Sequence, residues 1–229
     1  MIMILGIETS DLLCSVAFVK NDCILAEYNH ELPRQHASLI GTLVENAGKF
    51  LSTGKLASQN FMDDLELVAV SIGPGSFTGL RIGLSYAQGL CLGKNIPLVG
   101  VNNHQVLAEN CPYGYETVYT IIDARQDEVY LAEMIRTKTY FEIIHHQIVA
   151  KTNLANEIKE SDVLIYNNEI LLDDSVKNEL MRKKIRLITS AHYSAAMTAK
   201  IGWRKYQDRG ADSLADIEPL YIRSFAGVQ

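Results

Sequence analysis

The chain opens on an apolar run, Ile2 to Ile7, that stops at the polar trio Glu8, Thr9 and Ser10. Two further β-rich runs follow at residues 14–20 and 23–30. Ser10, Asp11, Asn21 and Asp22 supply the turns, so the opening stretch predicts a three-stranded meander. Beyond it Leu39, Ile40, Leu43, Val44, Ala47, Phe50 and Leu51 recur at helical spacing. That spacing predicts an amphipathic helix over residues 36–51, ended by Ser52, Thr53 and Gly54. A buried strand at 65–72, a glycine loop at 73–76, a helix at 77–94 and a strand at 96–101 complete the first half.

The second half repeats that order. Strands at 117–123, 127–135 and 140–149 precede a helix at 152–160 and a strand at 162–167. A helix at 173–183, a strand at 185–189 and a helix at 193–207 follow. No residue-level repeat accompanies the pattern. Two successive β-β-β-α-β-α units predict an α/β fold of two ribonuclease H-like lobes, residues 1–105 and 106–229.

Composition narrows the function class. At 229 residues and 48% hydrophobic side chains, the chain can bury a large core or two modest ones. A formal charge of -6 gives no global attraction to phosphate backbones, so contact with nucleic acid is expected to be local or made through a partner. Cys14, Cys23, Cys91 and Cys111 contain no CxxC pair and read as reduced thiols. The apolar N-terminal run carries no basic leader and is too short to span a membrane, so a cytoplasmic protein without an anchor is expected.

The loop Gly73-Pro74-Gly75-Ser76-Phe77-Thr78-Gly79 joins a buried strand to a helix. Backbone N–H groups there could face an anion; alternatively the glycines serve a tight turn and Ser76 caps the helix. No Lys-Ser/Thr pair follows, which excludes a Walker A loop. Arg81 stands in the first helical turn, where its charge opposes the macrodipole, and calls for a carboxylate or phosphate partner. Gly79, Gly83 and Ala87 recur every four residues and leave one face nearly smooth, suited to another backbone or to the chain's own sheet.

The search for catalytic groups is largely negative. The six histidines include no i, i+4 pair, and neither HExxH nor GxSxG occurs. Asp123, Asp127 and Glu128 fall at a hairpin turn, where solvated carboxylates are common.

Taken together, ILGIETS (4–10), PRQH (33–36), GPGSFTGLRIGLSYAQGL (73–90), IPLVGVN (96–102), DARQDEVY (123–130) and EPLYIR (218–223) resemble the bacterial TsaB (YeaZ) family from end to end. The resemblance implies the actin-like ATPase fold and a scaffold role in forming threonylcarbamoyladenosine at position 37 of tRNA. It also implies a TsaD-like catalytic partner, a TsaE-like ATPase as third component, a homodimer, and tRNA contacted only through the complex. In TsaD-like relatives a His-x-x-x-His pair binds metal. The equivalent stretch here is Val101-Asn102-Asn103-His104-Gln105-Val106-Leu107, with Asn103 and Leu107 at the ligand positions. Leu107 has no donor atom, so neither a metal site nor a catalytic residue is expected.

The same resemblance points to the two N-terminal helices as the docking element, with Leu39, Ile40, Leu43, Val44, Ala47, Gly79, Leu80, Arg81, Gly83, Leu84 and Ala87 as candidate partner-binding residues. Thr9, Ser10, Gly75 and Ser76 are candidate nucleotide contacts, for weak ATP or ADP binding at a subunit interface without a tightly held cofactor. Competing readings are a free-standing glycoprotease-like hydrolase, and a small-molecule kinase of the same fold with Glu8 as a metal-binding acid.

Overall fold

The computed structural model describes residues 2–31, 35–190 and 192–220. Pro33 and Arg34 of the PRQH motif, and Tyr221 to Arg223 of EPLYIR, lie outside the described residues. The chain divides into two units, one formed by Met1–Val106 with Tyr193–Pro219 and the other built on Leu107–His192.

In the first unit β1 (Met3–Glu8), β2 (Leu13–Lys20) and β3 (Cys23–Glu31) form the expected antiparallel meander, and β4 (Leu65–Gly73) and β5 (Leu98–Asn102) join parallel to β1. The sheet order is β3-β2-β1-β4-β5. Parallel pairing needs crossovers, supplied by α1 (His36–Thr53) between β3 and β4 and by α2 (Phe77–Lys94) between β4 and β5. Met3, Leu5 and Ile7 alternate along β1 onto the face that meets Ile40, Leu43, Val44, Leu84 and Ala87 of these two helices. A six-residue helix, α3 (Asn103–Ala108), follows β5 and was absent from the sequence-based prediction.

The second unit contains β6 (Thr117–Arg125), β7 (Glu128–Arg136) and β8 (Phe141–Ala150), then α4 (Leu154–Glu157), β9 (Val163–Tyr166), α5 (Asp174–Arg182) and β10 (Arg186–Thr189). Its sheet order, β10-β9-β6-β7-β8, is the order of the first sheet: third, second, first, fourth, fifth strand of the unit. The ribonuclease H-like repeat expected of an actin-like α/β fold is therefore present in both units. Asp173 caps α5 by accepting the Val176 N–H at 2.9 Å. The helix expected over residues 152–160 is shorter, a 3-10 turn followed by four α-helical residues, because Ile158 turns to extended backbone.

The last helix, α6 (Ala195–Arg209), corrects the expected partition at residue 105. It packs on β1, β2, β4 and β5, so residues 193–207 belong with the first unit. Gly6 permits this: a Cβ there would stand 1.9 Å from the Ala195 carbonyl oxygen. The even-numbered face of β1 is thus covered by α6, while α1 and α2 cover the odd-numbered face. Among the described residues no helix is long and apolar enough to cross a membrane.

Candidate functional site

The parallel strands β1, β4 and β5 all end at one edge of the first sheet, where α2 and α3 begin, the usual location of sites in open α/β sheets. The glycine loop there is a helix entry. Gly73 takes φ +98°, Ser76 donates its N–H to the Ser10 carbonyl at 2.6 Å, and Ser76 Oγ accepts the Gly79 N–H at 3.3 Å. A side chain at Gly75 would meet the Ser10 carbonyl oxygen at 2.6 Å. Of the two readings of this loop, the tight turn with a Ser76 cap is the one these contacts describe.

The smooth face of α2 is turned inward. A Cβ at Gly79 would lie 1.9 Å from the Thr9 carbonyl oxygen, and one at Gly83 would lie 2.2 Å from Thr9 Oγ1. Thr9 Oγ1 in turn donates to the Gly79 carbonyl at 2.8 Å. Ile40, Leu43, Val44, Ala47, Leu80, Leu84 and Ala87 are likewise buried against the chain's own sheet. These nine positions, expected to meet a partner, are core. A helix lying on a sheet and a helix lying on a partner need the same apolar stripe, and periodicity does not separate them. Of the expected set half-buried Leu39 and exposed Arg81 reach the surface, and Ile40, though buried, borders a surface groove.

The outer side of the helix pair presents mostly different residues. Ala37 and Ile40 of α1 and Phe77, Thr78, Arg81, Ile82, Ser85 and Tyr86 of α2 line an open groove of about 510 Å³. The Arg81 guanidinium lies 3.8 Å above the centre of the Phe77 ring, a contact that draws the cation over an electron-rich face. Further along α2, Leu92 is 78% exposed, and Gly89 and Gly93 have open space where a side chain would stand. None of Phe77, Ile82, Ser85 or Tyr86 was singled out from the sequence.

Behind the loop lies a sealed polar cluster. Glu8, Thr9, Ser10, Ser71, Asn102, Asn103 and Gln105 are all buried. Asn103 Nδ2 donates to Ser10 Oγ at 2.6 Å and to the Pro74 carbonyl at 2.9 Å, while its Oδ1 accepts the Ser71 hydroxyl at 2.6 Å. Glu8 accepts the Ser10 N–H at 2.6 Å, and burial pushes its carboxyl up to about 7. Thr9 and Ser10 therefore serve internal contacts instead of presenting hydroxyls to a nucleotide. Ser76 is committed to its cap.

The metal implied by TsaD-like relatives does not fit here either. Asn103 spends its amide on the cluster, and Leu107 is fully buried and has no donor atom, so the two positions do not make a pair of metal ligands.

Comparison with known proteins places this arrangement. The model of the family described as "TsaD: tRNA N6-adenosine threonylcarbamoyltransferase" matches residues 29–223. The protein named "tRNA threonylcarbamoyladenosine biosynthesis protein TsaB" from Escherichia coli is 39% identical over 136 residues, covering 58% of this chain and 55% of that protein. The protein of the same name from Haemophilus influenzae is 25% identical over 232 residues, covering 96% and 93%. Among solved structures, YeaZ from Pseudomonas aeruginosa superposes with a TM-score of 0.75 at 21% identity, over 96% of this chain and 100% of that one, which shows a common fold. With its matched span covering most of the molecule, the chain belongs to the family described as TsaD, tRNA N6-adenosine threonylcarbamoyltransferase, and the relatives it matches include proteins named TsaB.

Proposed function

We propose that this chain is a noncatalytic, cytoplasmic subunit in the formation of threonylcarbamoyladenosine on tRNA, docking through the outer groove of α1 and α2 onto a catalytic TsaD-like chain. The observation that carries the reading is the division of labour on α2. Its glycine face is consumed by Thr9 and the first sheet, while exposed Phe77 and Arg81 and half-buried Ile82 and Tyr86 line the groove. Aromatic and arginine side chains around an apolar groove are the composition that protein interfaces favour. The noncatalytic part rests on Asn103 and Leu107. The net charge of -6 favours tRNA binding through the partner over direct binding.

The same face serves a homodimer in this reading, so self-association and partner docking compete. A TsaE-like ATPase joins the assembled pair, and ATP or ADP binds weakly at the subunit interface, with the second chain supplying the cradle that Thr9 and Ser10 do not offer. The test is reconstitution of tRNA modification with and without this chain, using Ser85→Trp to fill the groove. Ser85 is exposed on α2, so the variant is expected to keep wild-type stability and to lose partner binding by at least tenfold. Full modification in assays lacking the chain, or wild-type docking by Ser85→Trp, rejects the proposal.

A further inference from the structure

β5 is the last strand of its sheet, and an open strand edge presents backbone groups that another strand can pair with. The Val68 N–H of β4 donates to the Pro97 carbonyl at 3.0 Å, which sets the side that faces the sheet. Alternation along the strand then turns the backbone groups of Leu98, Gly100 and Asn102 to the open side. Among the described residues no strand pairs there, yet four of these groups are hydrogen-bonded. The Leu98 carbonyl accepts the Asp212 N–H at 2.8 Å, and the Gly100 N–H donates to Asp212 Oδ2 at 2.7 Å. The Gly100 carbonyl accepts from Lys205 Nζ at 2.7 Å, and the Asn102 N–H donates to Gln105 Oε1 at 3.3 Å.

The partners come from three places: Gln105 from α3, Lys205 from α6, and Asp212 from the segment that follows α6. They also hold one another. Lys205 Nζ reaches Gln105 Oε1 at 3.3 Å, and the Arg209 guanidinium grips the Asp212 carboxylate through contacts of 2.5 and 3.0 Å. The segment is fastened at its far end as well. Gln88 Nε2 of α2 donates to the Leu214 carbonyl at 2.9 Å and to the Ile217 carbonyl at 3.4 Å, and both side chains pack on the first core. Ile217 lies so near the strand that a Cβ at Gly100 would stand 3.1 Å from its Cδ1.

We propose that residues 205–217 are a latch standing where a sixth strand would lie, and that this latch keeps the β5 edge from pairing with the β5 edge of a second copy. The pattern of the groups argues for that occupant. In an antiparallel pair centred on Gly100, its N–H and carbonyl meet the carbonyl and N–H of the partner's Gly100. The Asn102 N–H then meets the carbonyl of the partner's Leu98, and the reverse, so all four latched groups are satisfied about a two-fold axis. The edge is complementary to itself. Opening the latch removes contacts from the outer side of β5 and leaves its ladder with β4 in place. This pairing is independent of docking through the groove between α1 and α2.

The experiment adds Asp212→Ala or Gln88→Ala to a common Ser85→Trp background, so that any association through the groove is the same in every sample. Amide hydrogen exchange at Gly100 and sedimentation velocity are followed across protein concentration. Asp212→Ala removes the acceptor of the Gly100 N–H and is expected to speed its exchange by roughly tenfold or more in dilute protein. As concentration rises, a dimer beyond that of the background is expected to form, and Gly100 exchange is expected to slow again. Gln88→Ala frees only the far end of the segment and is expected to give both changes to a smaller degree. It decides the matter if Asp212→Ala does not fold. Gly100 exchange equal to the background, no added association in the opened variant, or a dimer in which Gly100 stays unprotected overturns the proposal.

Discussion

Replacing Gly79 by alanine adds one carbon atom 1.9 Å from the Thr9 carbonyl oxygen and 3.1 Å from its carbonyl carbon. The obstacle is main chain, so no rotamer change relieves it. An ordinary contact begins near 3.4 Å, and α2 must retreat from β1 by about 1.5 Å at its first turn. That retreat stretches the 2.8 Å hydrogen bond from Thr9 Oγ1 to the Gly79 carbonyl, worth about 1 kcal/mol. Overpacking of this kind costs roughly 1–3 kcal/mol, against about 1 kcal/mol gained when alanine replaces glycine inside a helix. The net expectation is a loss of about 1–3 kcal/mol.

Gly89 supplies the control, because it sits in the same helix with open space around it. There the identical substitution brings only the helical gain and should stabilise by up to about 1 kcal/mol. Urea unfolding followed by circular dichroism, and by the emission of Trp203 on α6, reads both midpoints from the first unit. If Gly79→Ala matches or exceeds the wild type, or if the two variants shift in the same direction, the inward placement of the glycine face is wrong.

Two further predictions concern charged groups. Lys205 is buried on α6 with its amine donating to the Gly100 carbonyl at 2.7 Å and to Gln105 Oε1 at 3.3 Å, and burial lowers it to about 8. Because the unfolded chain binds more protons between about 8 and 10.5, wild-type stability should rise by up to about 3 kcal/mol across that interval relative to Lys205→Met; parallel curves in pH-dependent urea unfolding refute this. Arg81→Ala removes an exposed stacking contact with Phe77 and should change stability by no more than about 1 kcal/mol, while partner capture on an affinity surface weakens measurably. A stability loss as large as the loss in capture contradicts the surface role of that side chain.

Most element boundaries were readable because each element carries its own local signals. The meander, α1, α2, β4 and the hairpin between β6 and β7 all appear where alternation, helical spacing or turn residues placed them. Ser76 was recognisable as a cap because its side chain acts three residues away. The candidate site was legible only in part. Asn103 and Leu107 stood out as replacements of ligand residues, but nothing local indicated that Asn103 would bond Ser10, Ser71 and Pro74 from three other segments.

The amino-acid order alone determined the repeated β-β-β-α-β-α plan, since pleat alternation and helical spacing are properties of neighbouring residues. It did not decide which way the apolar stripes face. A row of Gly79, Gly83 and Ala87 is equally suited to a sheet or to a partner, and the close approach of Thr9 settles it for the sheet. Likewise α6 reads as the end of the second lobe, yet it closes the first sheet because Gly6 leaves room there for the Ala195 backbone. Both outcomes depend on atoms brought together from distant parts of the chain, and steric fit between such atoms exists only once the backbone has folded.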